Sequence, residues 1–89
     1  MDVSVDISLY PLQDEYIPMI KDLIERVQQR EGIDVSTNAL STQLFGEYRT
    51  VMSAVTEELE YSFQTWGKAV LVAKIVNGDA RRLSGDGSA

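Results

Sequence analysis

Three stretches of the 89-residue chain carry the side chains best suited to chemistry. They are Ser8-Leu9-Tyr10-Pro11-Leu12, Asn38-Ala39-Leu40-Ser41-Thr42-Gln43-Leu44-Phe45-Gly46 and Lys74-Ile75-Val76-Asn77-Gly78-Asp79-Ala80-Arg81. The second is the most informative. Asn38, Ser41, Thr42 and Gln43 set four uncharged hydrogen-bonding side chains among apolar neighbours. Amides donate and accept, so such a set can pair with a heterocycle that does both. An apolar lining with a few placed polar groups is the usual make-up of a small-molecule pocket. The same residue types favour turns, so an exposed polar hairpin is an equally good reading of the spacing. In the first stretch Ser8 and Tyr10 share, with Asp6, one face of an alternating run. That face suits a ligand site or a subunit interface; for Tyr10 alone the interface is the better reading.

Reactive groups are scarce. The chain has no histidine and no cysteine. Disulfides, a thiolate nucleophile, a Cys/His zinc site, haem ligation by His or Cys and a Ser-His-Asp triad are therefore excluded. Asp6, Glu47, Lys68, Lys74 and Asp79 remain for proton transfer, and no two stand at a spacing that compels a shared site. Glu57, Glu58 and Glu60 read as a solvated helix face. No stretch has the spacing of a P-loop, a dinucleotide fingerprint or an EF-hand. No catalytic residue, metal ligand or cofactor is expected. The net charge of −6 repels phosphate backbones and argues against a nucleic-acid partner. No apolar run approaches the ~20 residues that span a bilayer, so no membrane insertion is expected. The acidic, alternating N-terminus is unlike a secretory leader, and a cytoplasmic location is the default.

These residues need elements to hold them. Val3, Val5, Ile7 and Leu9 alternate with polar residues, which predicts a strand with one face in a core, ended by Pro11. Asp14 offers an N-cap for a first helix that carries Pro18 near its start. Tyr16, Ile17, Ile20, Leu23, Ile24 and Val27 form its apolar stripe, with Gly32 as a natural stop. Residues 33–40 and 41–45 read as two strands joined by a turn, with Gly46 closing the hairpin. A second helix over 47–66 carries Tyr48, Val51, Met52, Val55, Leu59, Phe63 and Trp66 on its apolar stripe, and Gly67 ends it. Phe63 and Trp66 read as core. Residues 68–76, KAVLVAKIV, form a last strand apolar on both faces, as if both were covered. Helices cover only one face of a two-layer domain, and a second subunit is the simplest cover for the other. Arg81 and Arg82 read as solvated tail residues.

The order β-α-β-β-α-β predicts an α+β, ferredoxin-like fold: a four-stranded antiparallel sheet ordered 4-1-3-2 with two helices on one face. Residues 1–82 form this single ligand-binding domain, and 83–89, LSGDGSA, form a polar tail expected to be disordered.

The stretches SLYPL and ALSTQLFG, in this order within a βαββαβ layout, resemble the thiamine/hydroxymethylpyrimidine-binding YkoF family. The resemblance covers residues 3 to about 82. It implies a non-enzymatic, cytoplasmic binder of thiamine or its pyrimidine half, tied to vitamin uptake and so to an uptake transporter. Larger members carry two such domains in tandem. One domain here implies a homo-oligomer, a dimer or a tetramer. Ser8 and Tyr10 match the family's SLYP motif, and Ser41 and Thr42 match its Ser-Thr pair. Asn38 and Gln43 lie where members differ. The rival reading is a homo-oligomeric interaction or regulatory module with no pyrimidine ligand.

Overall fold

The N-terminal alternation folds as β1 (Asp2–Pro11), which turns Val3, Val5 and Ile7 inward to 4% exposure or less. In the computed structural model residues 1–83 are described. After β1 come α1 (Ile17–Gln28), β2 (Ile33–Thr37), β3 (Thr42–Glu47), α2 (Tyr48–Trp66), β4 (Ala69–Val76) and a short α3 (Ala80–Leu83). β1 pairs antiparallel with both β3 and β4, and β3 pairs with β2. The sheet order is β2-β3-β1-β4, the ferredoxin-like arrangement that the sequence pattern predicts. The core lies between the sheet and the helices: Val5, Ile7 and Leu44 meet Leu23 and Val27 of α1 and Val51 and Val55 of α2.

The single apolar stripe expected on α1 is two ridges. Met19, Leu23 and Val27, four apart, are buried in the core. Ile20 and Ile24 are only partly buried, while Tyr16 and Ile17 are about half exposed. Asp14 does not cap this helix. Tyr16 holds the N-cap position and no side chain bonds the first-turn amides.

α2 starts one residue later than expected, because Glu47 caps it rather than joining it. The Glu47 carboxylate accepts from the amides of Arg49 (3.0 Å) and Thr50 (3.2 Å). Gly46 does not close the hairpin; it lies inside β3, opposite Val3 and Ile33. A Cβ there would stand 2.7 Å from the Gly32 carbonyl oxygen and 3.2 Å from Val51 Cγ2. A close backbone approach, rather than a turn, requires this glycine. The turn proper occupies 38–41, so β2 ends at Thr37 and not at Leu40.

The outer faces of the helices are joined by a polar seam. Trp66 Nε1 donates to Asp22 (3.2 Å), and Arg26 lies 3.5 Å from both Asp22 and Glu58. Its guanidinium stacks 3.3 Å over the Tyr61 ring. Arg30 donates to Glu57 (2.8 Å) and Glu58 (3.0 Å). Glu57 and Glu58 therefore tie α2 to α1 and are not a merely solvated face. Phe63 is 41% exposed, not core, and Trp66 is half-buried.

The C-terminal turn crosses the face of the sheet opposite the helices. Ser4 points to that face yet is 5% exposed, because α3 covers it. Its hydroxyl donates to the Gly78 carbonyl and accepts from the Ala80 amide, both at 2.8 Å. Arg81 is no solvated tail residue: it stacks 4.3 Å over Phe45 and reaches Asp34 at 3.0 Å and Asp79 at 2.9 Å. The expected disordered tail lies, from residue 84 on, outside the described residues; Leu83 closes α3.

The Gly46 contact makes a test. Gly46→Ala is expected to lower the unfolding free energy by about 1–3 kcal/mol in chemical denaturation, since a backbone oxygen cannot swing aside as a side chain can.

Candidate ligand-binding site

The pairing of β1 with β3 stops at Ile7 opposite Thr42. β1 then runs on to Pro11 against β4 alone. The 38–41 turn on one side and the start of α1 on the other border this half-paired stretch. Between them lies a cleft of about 380 Å³, within the ~300–1,000 Å³ range of small-ligand pockets.

Five of the six residues singled out from the sequence line this cleft: Ser8, Tyr10, Asn38, Ser41 and Thr42. They come from β1 and the β2–β3 turn, some 30 residues apart in the chain. Alternation sets Ser8 and Tyr10 toward the open face of the sheet, but they stand at the strand's free border and so reach the cleft's rim. Thr42 is 5% exposed, and its hydroxyl is 2.8 Å from that of Thr37 across the hairpin. The Asn38 carbonyl oxygen accepts from the amides of Leu40 (2.8 Å) and Ser41 (3.2 Å), which shapes the turn. The Asn38 side-chain N–H groups keep their donor capacity. Ser8 makes one long bond, 3.4 Å, to the Leu40 carbonyl.

Gln43 is the exception. It pairs with Asp6 on β1, so its side chain lies on the sheet face opposite the helices. There it lines a second cleft of about 270 Å³ with Asp6, Phe45, Lys74 and Arg81. Gln43 Nε2 donates to Asp6 Oδ1 (2.9 Å) and to Ser41 Oγ (2.7 Å). Ser41 thus connects the cleft to Asp6 around the edge of β3. Hydrogen bonds from Ser41 and then Gln43 hold the Asp6 carboxyl below its ordinary pKa, with help from the Lys74 charge and against partial burial.

Residues that the sequence left out complete the cleft: Tyr16, Ile20 and Ile24 make its α1 wall, and Leu40 lies at its lip. The 16-20-24 spacing was the available signal, but it merges with the core ridge at 19-23-27 when read as one stripe. Among the described residues no cluster of three acidic side chains is placed to hold a metal ion. None of the described helices is long and apolar enough to cross a membrane.

The model of the YKOF-related family matches residues 2–70, which contain both motif stretches. The chain belongs to that family. Three solved structures of 23–24% identity share the fold. A Streptococcus pneumoniae protein is 24% identical with a TM-score of 0.82, over 94% of this chain and 99% of its own. A hypothetical protein of Methanocaldococcus jannaschii is 23% identical with a TM-score of 0.79, over 99% and 98%. A Thermotoga maritima protein, proposed to act in thiamine biosynthesis or salvage, is 24% identical with a TM-score of 0.78, over 88% and 85%. No curated protein matches the chain. α3 and most of β4 lie beyond the part that the family model matches.

The Asp6 contacts make a prediction with a defined sign. Gln43→Ala is expected to raise the Asp6 pKa toward its ordinary value of about 3.9, read by carboxyl NMR titration. A depressed folded pKa contributes stability that is complete above the unfolded pKa. That contribution is lost as pH falls through the folded value, so the Asp6 share of any stability gap between the two proteins closes below about pH 4. An unmoved Asp6 pKa would remove Gln43 as its cause.

Proposed function

We propose that this protein is a non-enzymatic, cytoplasmic binder of thiamine or its hydroxymethylpyrimidine half, serving vitamin uptake or salvage. One observation carries the reading: the two motifs that resemble the family, SLYPL and ALSTQLFG, meet at one cleft although they are far apart in the chain. Ser8, Tyr10, Asn38, Ser41 and Thr42 present hydroxyl and amide groups over an apolar floor. An aminopyrimidine offers ring-nitrogen acceptors and an exocyclic amine donor, which such groups can satisfy. Gln43 acts indirectly, by holding the Ser41 hydroxyl. Membership of the YKOF-related family and the likeness to the Thermotoga protein support the ligand class.

The binder works as a homo-oligomer. β4 is an edge strand, and Val70, Val72, Ile75 and Val76 are 38–52% exposed on its two faces. An edge so long and apolar invites strand pairing or burial against another chain. α3 already covers the Phe45 end of the open sheet face, so the apolar surface left over is concentrated on β4. A second copy is the occupant we assign to it. The same exposed strand also fits an interaction module without a ligand, and titration separates the two.

Isothermal titration with thiamine and with hydroxymethylpyrimidine is expected to give saturable binding, and Thr42→Ala is expected to weaken it with the fold retained. Absence of heat at high micromolar ligand, with folded protein, would overturn the ligand; unchanged affinity in the variant would take Thr42 out of the site. Light scattering is expected to return two or more chain masses, falling to one on Val72→Lys. A monomeric wild type rejects the assembly.

A further inference from the structure

The electrical character of the cleft decides more than the presence of a ligand. None of the described side chains that line it carries a charge. The chain has eight Lys and Arg residues, and none is among them. Arg26 and Arg30 are engaged with acidic groups on the helix seam, and Arg81 and Arg82 with Asp79. Lys74 serves the cleft on the other side of the sheet.

Backbone amides are the other common anion donors: three in the neighbouring turn are engaged within it, while the first turn of α1 has no side-chain cap. In the turn beside the cleft the Leu40 and Ser41 amides are both bound to Asn38 Oδ1, and the Asn38 amide to the Ser41 carbonyl. They cannot form an anion-binding nest without giving up the turn. The start of α1 borders the cleft through Tyr16 and Ile20. A helix N-terminus is worth about half a positive charge. Pro18 deletes one of its N–H groups, and Asp14 and Glu15 directly precede it.

The rim treats a cation differently. Tyr10 and Tyr16 line the cleft and are 55% and 51% exposed, so their rings remain open to a positive group. The net charge of −6 acts in the same direction.

We infer that the cleft selects by charge: it takes the unphosphorylated compounds, a neutral hydroxymethylpyrimidine or the thiazolium-bearing vitamin, and rejects the pyrimidine's phosphate ester. This rests on the ligand class proposed above and narrows it. A phosphomonoester carries about −1.5 to −2 charges at pH 7, and placing it beside the ring strips its hydration with no charged side chain in the described lining to replace the water. The protein then belongs before the phosphorylating step of salvage, holding the substrate of a kinase rather than its product.

The test is a side-by-side titration of hydroxymethylpyrimidine, hydroxymethylpyrimidine phosphate and thiamine at one ionic strength. Free pyrimidine and thiamine are expected to bind, with the ester weaker by roughly tenfold or more. An ester that binds as well as the free alcohol overturns the charge selection and leaves the ligand class standing. Binding of none of the three overturns both. Leu40→Arg provides the second arm. Leu40 is 88% exposed at the cleft's lip, so the change costs the fold little and brings a cation to the site. It is expected to raise the ester's affinity relative to the alcohol's; an unchanged ratio would sink charge as the cause.

Discussion

The structure depends on a mismatch in length along its central strand. β1 is paired on both sides from Ser4 to Ile7, but from Ser8 to Pro11 it has only β4. β3 cannot follow it further, because the chain must turn at 38–41 to make the hairpin with β2. The missing neighbour leaves a gap at the sheet's end, floored by the same apolar alternation that builds the core. Ile7 and Thr42, the last pair of the register, therefore belong to both the core and the cleft. A site built this way needs only a strand that outlasts its partner and the hairpin turn beside it.

Around this gap the remaining interactions hold the two layers together. The core alone is thin in a chain this short. Across the top of the helices Arg26 and Arg30 meet carboxylates and an aromatic ring from α2. Partly buried, multiply bonded guanidinium groups hold geometry better than isolated exposed pairs. On the opposite face Ser4 and Phe45 are closed over by α3 through Arg81. That cover leaves the β4 half of the sheet open.

Much of the fold was legible because its signals are local. A period of two gave β1 its buried face, glycine and proline marked the ends of elements, and the order of elements implied the sheet order. Errors arose where a long-range contact overrode a local preference. Gly46 looks like a hairpin end, yet it is a strand residue pressed against the Gly32 carbonyl. Phe63 continues an apolar stripe that the sheet is too narrow to cover. Glu57 and Glu58 look solvated until α1 brings Arg30 to them.

The site divides along the same line. Residue chemistry by itself determined what the motif stretches offer: without His or Cys, their polar side chains are hydroxyls and amides. It also singled out three stretches, of which two carry the family resemblance. Only the tertiary structure decided that they share a cleft, that Gln43 faces away toward Asp6, and that Tyr16, Ile20 and Ile24 supply a wall. The antiparallel pairing of β1 with β3 is the reason for the first, and the pleat for the second: moving one residue along β3, from Thr42 to Gln43, moves the side chain from the helix side of the sheet to its open side. The third depends on how α1 is rotated about its axis, which the burial of Met19, Leu23 and Val27 settles. The lack of charged side chains in the cleft's lining is likewise a property of the assembled surface, because it joins residues from β1, the 38–41 turn and the start of α1.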